Sequence, residues 1–276
     1  MRVAHLILAH KNPLQLEMLI KALRHPGFDI YIHLDKKTDS RPFANLFEYD
    51  SVFAVRKRTR VYWAGFGTIQ ATLNGFEQIS GKNYDYVNVI SGQDFPLQSP
   101  AAILAYLSRE KGKEFITCES VKDEWPEAAV RMERYYLINY RFPGRYRVEN
   151  ILNRLLPKRK FPLDFEIVGR SNWFTITGSA VNYILAFLKK NPSVLRFFRW
   201  SWGADECIFS TVLYNSAYRE RITKNLVYTD WTEKKATPKI LGVADFESLR
   251  VSGKLFARKF DPDTDSGILS LIQESY

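Results

Sequence analysis

Val3-Ala-His-Leu-Ile-Leu-Ala9, then His10-Lys11-Asn12-Pro13, then Leu16, Leu19, Ile20 and Leu23: this opening passage decides the fold. The first run is almost continuously apolar, as expected of a strand buried on both faces in a parallel sheet. Asn12-Pro13 supplies a helix cap and a proline at the first helical position. The four aliphatic residues follow at i, i+3, i+4 and i+7, which predicts an amphipathic helix. Pro26-Gly27 ends it, and Ile30 to Leu34 predicts a second strand running into Asp35-Lys36-Lys37. The rhythm then repeats, with a strand over Val52 to Val55, a helix from Thr68 to about Ile79, and a strand over Tyr86 to Ile90 ending in Ser91-Gly-Gln-Asp-Phe-Pro96. The expected class is α/β, a Rossmann-like, mostly parallel central sheet flanked by helices. Further along, a strand is expected around Trp173 to Ile176, a helix over Ser179 to Lys190, another helix from near Ala204, and a mixed tail after Lys239.

The 276 residues can bury a sizeable core, and no linker or repeat divides them, so a single domain over 1–276 in two packed halves is expected. Lys and Arg number 40 against 30 Asp and Glu, a net charge of +10 that favours an anionic partner. No apolar run approaches the ~20 residues of a membrane span. The apolar run at the N-terminus is too short for a signal peptide. Cys118 and Cys207 are too few for a disulfide framework and fit a reducing compartment, so a cytoplasmic location is expected.

Gly65-Phe-Gly67 is half of a dinucleotide fingerprint, but Gln70 stands where the third glycine belongs. There is no Walker loop. Asp261-Pro-Asp263-Thr-Asp265 begins like a calcium loop, yet its glycine falls one place late and Ile272 stands where glutamate is required, which favours a surface turn. The four histidines have no Cys or His partner at zinc spacing, so no metal site is expected. Cys207 precedes an apolar run and reads as a buried small residue rather than a nucleophile. The strand ends say more. In open α/β sheets ligands bind outside the carboxyl ends of the strands, and here those ends carry His10, Asp35 and Asp94, which predicts a binding crevice. Between Arg131 and Lys160 basic residues alternate with tyrosines. No signature of a nucleic-acid module accompanies them, so nucleic acid is not expected as a partner.

Six blocks occur in a fixed order: Ala9-His-Lys-Asn-Pro13, Ile32-His-Leu-Asp-Lys-Lys37, Tyr86-Val-Asn-Val-Ile-Ser-Gly-Gln-Asp-Phe-Pro-Leu97, Ser171-Asn-Trp-Phe-Thr-Ile-Thr177, Ala204-Asp-Glu206 and Leu255-Phe-Ala-Arg-Lys-Phe-Asp261. Together they resemble the core-2/I-branching β-1,6-N-acetylglucosaminyltransferases and the related peptide O-xylosyltransferases, over nearly the whole chain. The resemblance implies a GT-A fold, a UDP-sugar donor, inversion at the anomeric carbon and no metal or other cofactor. It implies a nucleotide-binding half over about 1–115 and an acceptor-binding, catalytic half over about 116–276. Where a metal-holding Asp-x-Asp would sit, the chain has Gly92-Gln93-Asp94 with one carboxylate. The resemblance instead sets Arg258 and Lys259 on the diphosphate, with Lys239 the nearest candidate for a further cation. It makes Glu206 the general base, puts Trp63 beside uracil, Asp35 and the backbone at His10 on base and ribose, and Asp94 on the donor sugar. Glu119, Arg134, Trp173 and Trp231 resemble acceptor-lining positions.

The expected function is therefore transfer of a sugar, N-acetylglucosamine first and xylose as the alternative, from UDP to a hydroxyl of a glycan or glycolipid. A non-catalytic glycan- or polyanion-binding protein is the reading from another class. The chain looks like a minimal, bacterial-type catalytic domain, and its charge adds the expectation of peripheral contact with the anionic inner face of a membrane.

Overall fold

The alternation of apolar strands and amphipathic helices is realised as a layered α/β structure. The computed structural model describes residues 1–276. It begins with β1 (Val3–Ala9), α1 (Pro13–Ala22), β2 (Phe28–Leu34), β3 (Val52–Ala54), α2 (Gly67–Ile79) and β4 (Tyr86–Ser91). Next come β5 (Asp94–Pro96), α3 (Pro100–Arg109), β6 (Glu114–Phe115), β7 (Glu119–Ser120), α4 (Ala129–Glu133) and α5 (Arg145–Leu155). β8 (Val168–Gly169), β9 (Phe174–Thr177), α6 (Gly178–Lys190), α7 (Pro192–Arg199) and α8 (Ile208–Tyr214) follow. The chain closes with β10 (Ile222–Thr223), β11 (Val227–Thr229), α9 (Phe246–Val251), β12 (Phe256–Arg258) and α10 (Ile268–Glu274).

The main sheet has seven strands in the order β10-β6-β9-β4-β1-β2-β3. β1 runs parallel to both β2 and β4, and β2 parallel to β3, while β9 enters antiparallel to β4 and β6. The expected mostly parallel sheet is thus present, with strand ends within two residues of their expected places. The strand alternation sorts β1 between two cores. Val3, Ile7 and Ala9 join one core with α1, α3, α9 and α10. Ala4 and Leu6 join the other with α2, α6, α7 and α8. A polar thread crosses the first face, where His5, Asn88 and Thr175 are register partners on β1, β4 and β9. Asn88 meets His5 Nδ1 at 3.0 Å and accepts from the Thr175 hydroxyl at 2.9 Å. Burial pushes the His5 imidazole down to about 3, so the ring is neutral.

Asn12 Oδ1 caps α1 by accepting from the Gln15 N–H at 3.2 Å, as its spacing predicts. The helix expected near Ala204 is different. Ala204–Glu206 is a single 3-10 turn, and α8 starts only at Ile208. The reason is local: the Glu206 carbonyl accepts from Arg170 N–H at 3.0 Å on the neighbouring strand segment and so leaves the helical ladder. Two helices, α4 and α5, occupy the basic middle segment where none was expected. The tail forms a second sheet, with β12 parallel to β11 and antiparallel to β5, which pairs Arg258 with Asp94 and Thr229. No helix is long and apolar enough to cross a membrane.

Candidate active site

The carboxyl ends of β1, β2 and β4 lie side by side at one edge of the main sheet. Asp35, just past β2, takes the Lys37 N–H at 2.9 Å and the Val61 N–H at 3.3 Å on Oδ1, with the Lys37 ammonium 3.3 Å from Oδ2. The His10 carbonyl, just past β1, accepts from the Thr38 hydroxyl at 2.9 Å. These contacts bring His10 and Asp35 together at the end of the sheet. The His10 imidazole is held below its usual range by desolvation, with Lys11, Lys259 and Lys37 adding to it.

Asp94, the first residue of β5 and three positions past the end of β4, is fully buried. Its carboxylate accepts from the Ser91 hydroxyl at 2.5 Å, the Ser91 N–H at 3.0 Å and Arg258 Nε at 3.1 Å. Burial raises its proton affinity, and Arg258 opposes that. Arg258 lies over the Trp173 ring, 4.9 Å from guanidinium carbon to centroid. Trp173, expected on the acceptor side, is a shelf beneath the Arg258 guanidinium. Oδ1 of Asp94 is shared by the Ser91 hydroxyl and Arg258, and Oδ2 takes the Ser91 N–H. No three acidic, His or Cys side chains converge into a metal-holding group.

Lys259 follows on the same strand end and makes no ion pair. Burial, then the charges of Arg258 and Lys11, push its ammonium below the usual lysine range. A half-buried cation crowded by cations is a site that an anion relieves. Lys239 reaches the same region, since its backbone bonds to Asp230 at the end of β11 and Leu241 bonds to the Lys259 carbonyl. Its ammonium, however, is taken by Asp245 at 2.6 Å. Trp231 begins the exposed loop between them. The calcium-like residues form a turn: Asp261 binds Lys11 at 2.7 Å, and Asp265 accepts from the N–H groups of Val243, Gly267 and Ile268.

Glu206 ends the 3-10 turn Ala204–Glu206, whose Asp205 is bonded to Asn172. Arg131 Nη1 donates to its Oε2 at 3.0 Å, and the Arg131 guanidinium stacks on Trp202 at 4.4 Å and on Trp125 at 5.1 Å. Burial and then the neighbouring Asp205 push the Glu206 carboxyl up to about 7, against the opposing pull of Arg131 and Arg170. Asp205 is itself pushed up to about 6, chiefly by burial, while accepting from Asn172 Nδ2 at 2.8 Å. Asn172 precedes Trp173, so one short segment touches both the Asp205–Glu206 pair and the Arg258 clamp. A carboxylate with a proton affinity near neutrality is suited to accept a proton.

Trp63 is 63% exposed and packs edge-on against Trp202 at 5.0 Å, on the Glu206 side. Its neighbour Tyr62, under the Lys37 ammonium at 4.7 Å, is the aromatic ring facing the Asp35 side. Glu119 pairs with Arg170 at 2.8 Å, and Arg170 is the residue whose N–H holds the Glu206 carbonyl. Arg170 sits at φ 125, a strained value for a side-chain-bearing residue. Arg134, just past the end of α4, is exposed with no side-chain partner, and it is Arg131 within α4, not picked out from the sequence, that reaches Glu206. Arg131, Arg170 and Asn172 carry no spacing signal, because their partners lie on other segments.

A family model described as Core-2/I-branching enzyme matches residues 3–250. Among curated proteins, xylosyltransferase 2 of Homo sapiens is 25% identical over 302 residues, 98% of this chain and 33% of that protein. Xylosyltransferase oxt of Drosophila melanogaster is 25% identical over 301 residues, 99% of this chain and 33% of that protein. The chain thus spans about a third of the length of the curated relatives it matches. Among solved structures, mouse xyloside xylosyltransferase 1 has a TM-score of 0.41 at 13% identity, covering 92% of this chain and 97% of that one.

Proposed function

The chain belongs to the Core-2/I-branching enzyme family, and from that premise we propose that it is an inverting glycosyltransferase moving a sugar from UDP to a glycan hydroxyl. The carrying observation is the pairing, across Asn172-Trp173, of a carboxylate raised to about 7 with two adjacent cations, Arg258 held by Asp94 and Lys259 in no ion pair. In the proposed reaction Glu206 takes the proton of the acceptor hydroxyl. The freed oxygen attacks the anomeric carbon from the face opposite UDP. The bond from that carbon to the diphosphate oxygen breaks, and the leaving diphosphate gains negative charge. Arg258, fixed by Asp94 and Trp173, and Lys259 receive that charge, a preorganised arrangement of the kind worth roughly 3 kcal/mol per donor. Arg131 holds the Glu206 carboxylate in place, and Asp35 with the His10 backbone and Tyr62 supplies the nucleoside end. Lys239, once released by Asp245, adds a further cation. Glu119, Trp63, Arg134 and Trp231 are proposed to contact the two sugars, while the buried Asp94 orients Arg258. The clamp is proposed to act without a metal, on the ground that the single carboxylate at the strand end is spent on Arg258.

N-acetylglucosamine is the donor proposed from the branching-enzyme family. Xylose is the second reading, favoured by the curated relatives, which are named xylosyltransferases. Calorimetric titration with UDP, UDP-N-acetylglucosamine and UDP-xylose, each with EDTA and with manganese, separates these. Binding that is indifferent to EDTA and selective for one sugar is expected. Glu206→Gln should bind the donor and transfer nothing. Binding only with manganese overturns the clamp, and no binding to any uridine nucleotide overturns the function.

A further inference from the structure

α5 is built inside out. A surface helix normally turns its apolar stripe to the core and its polar face to water. Here no residue of the helix is buried. Its inward face is polar: Glu149 Oε2 accepts from the Leu137 N–H at 2.8 Å, and Asn153 bonds both the N–H and the carbonyl of Tyr135 at 2.8 Å. The outward face carries Val148, Ile151 and Leu155, spaced i, i+3 and i+7 on one stripe, with Ile151 55% and Leu155 75% exposed. Leu156 and Phe142, beyond the two ends of the helix, are also exposed. Alongside the stripe lie Arg147 and Arg154, both exposed and neither in an ion pair. Residues 141–160 hold seven cations and one acid, Glu149, and that acid faces inward.

A scattered exposed leucine means nothing, but an aliphatic stripe flanked by free arginines on an inverted helix has the composition of an interfacial helix. Charge selects the occupant. An apolar protein groove would match the stripe and leave the arginines uncompensated. A nucleic acid would match the arginines and leave the stripe in water. An anionic bilayer satisfies both, since acyl chains take the stripe and headgroup phosphates take Arg147 and Arg154. We propose that α5 is the segment on which the protein docks to anionic lipid.

The attachment of α5 to the rest of the molecule gives this docking a direction. Lys158 pairs with Glu133 at 2.6 Å, and the Arg159 N–H bonds the Glu133 carbonyl, at the end of the helix that carries Arg131. Asn139 accepts from the Phe66 N–H at 2.8 Å, and Arg141 stacks on Tyr62 at 4.2 Å. The docked helix is thereby braced against the loop carrying Trp63 and the helix that holds Glu206. Resting on the transferase reading above, this makes the acceptor a glycan carried on a lipid.

Flotation of the intact chain with vesicles of phosphatidylcholine alone and with phosphatidylglycerol added, at physiological ionic strength, tests the docking without any activity assay. The protein should float with the anionic vesicles and stay behind with the neutral ones. Ile151→Glu/Leu155→Glu should weaken vesicle binding by roughly tenfold or more, and Arg147→Gln/Arg154→Gln by about fivefold per arginine. UDP binding should be unchanged in both pairs, which reports that they fold. Wild-type protein left in solution with both vesicles overturns the proposal. So does anionic-vesicle binding that Ile151→Glu/Leu155→Glu leaves intact, because that is adsorption by charge alone. If docking holds but no uridine nucleotide binds, the membrane surface stands and the transferase reading falls.

Discussion

At Glu206, fields of opposite sign set the affinity for the proton. Burial and Asp205 disfavour the carboxylate, Arg131 and Arg170 favour it, and the balance leaves it at about 7. A general base must be ionised, so kcat/KM should rise with pH and level off above an inflection near 7. Asp205→Asn removes a neighbouring negative charge and should move that inflection to lower pH. Arg131→Gln removes the facing cation and should move it higher, with a lower plateau. A profile of the wild type that is flat between pH 5 and 9 would take the base role from Glu206. Stability runs the opposite way with pH. A carboxyl raised on folding is destabilising when ionised, so Glu206 costs stability as pH rises from its unfolded value toward about 7 and none below both. Glu206→Gln should therefore melt above wild type in alkaline buffer, and the two should converge in acid. The residues proposed for the chemistry that lie in the sequence blocks are Glu206, Arg258, Lys259 and Asp94. Arg131 was not legible there, because its meaning comes from a partner 75 positions away.

The element that fixes Glu206 is the 3-10 turn, and its neighbour β8 has a constraint of its own. A Cβ on Gly169 would drive into the Glu206 carbonyl and come within 2.9 Å of the Cys207 Cα, both backbone atoms with no rotamer to yield. Gly169→Ala should therefore shift the turn without touching the nucleotide side. The expected result is a kcat loss of about a hundredfold, the scale of a small misplacement of a catalytic group, with UDP affinity unchanged in calorimetry. Equal losses in both would mean that the turn and the nucleotide side move as one. At this scale the long strands were legible, because β1, β2 and β4 are near-continuous apolar runs. β6 and β10 were not, since two residues carry no period. The periodicity of α5 was present in the sequence, but its charge density made the segment read as a basic surface rather than a helix.

Over the whole molecule, sequence order and functional order part company. The main sheet takes strands from early and late in the chain, and the proposed cationic clamp comes from residues 258 and 259, beyond the stretch from 3 to 250 that the family description matches. Past residue 250 the chain supplies Leu255, Phe256, Phe260, Ile268, Leu269 and Ile272 to the core on the α1 face. It also supplies β12, the middle strand of the second sheet, without which β5 and β11 have no ladder between them. Six large side chains buried at roughly 2 kcal/mol each amount to as much as a domain's whole margin of about 5–15 kcal/mol. A chain ending at Arg250 should therefore lack a cooperative thermal transition and fail to bind UDP. Calorimetry of that truncation beside Lys259→Ala separates the two contributions, since the point variant keeps the core and should melt like wild type while binding UDP more weakly. A truncated chain that melts cooperatively and still binds UDP would show that the last 26 residues are neither core nor clamp, and the diphosphate site would then have to be sought at His10, Lys11 and Lys37.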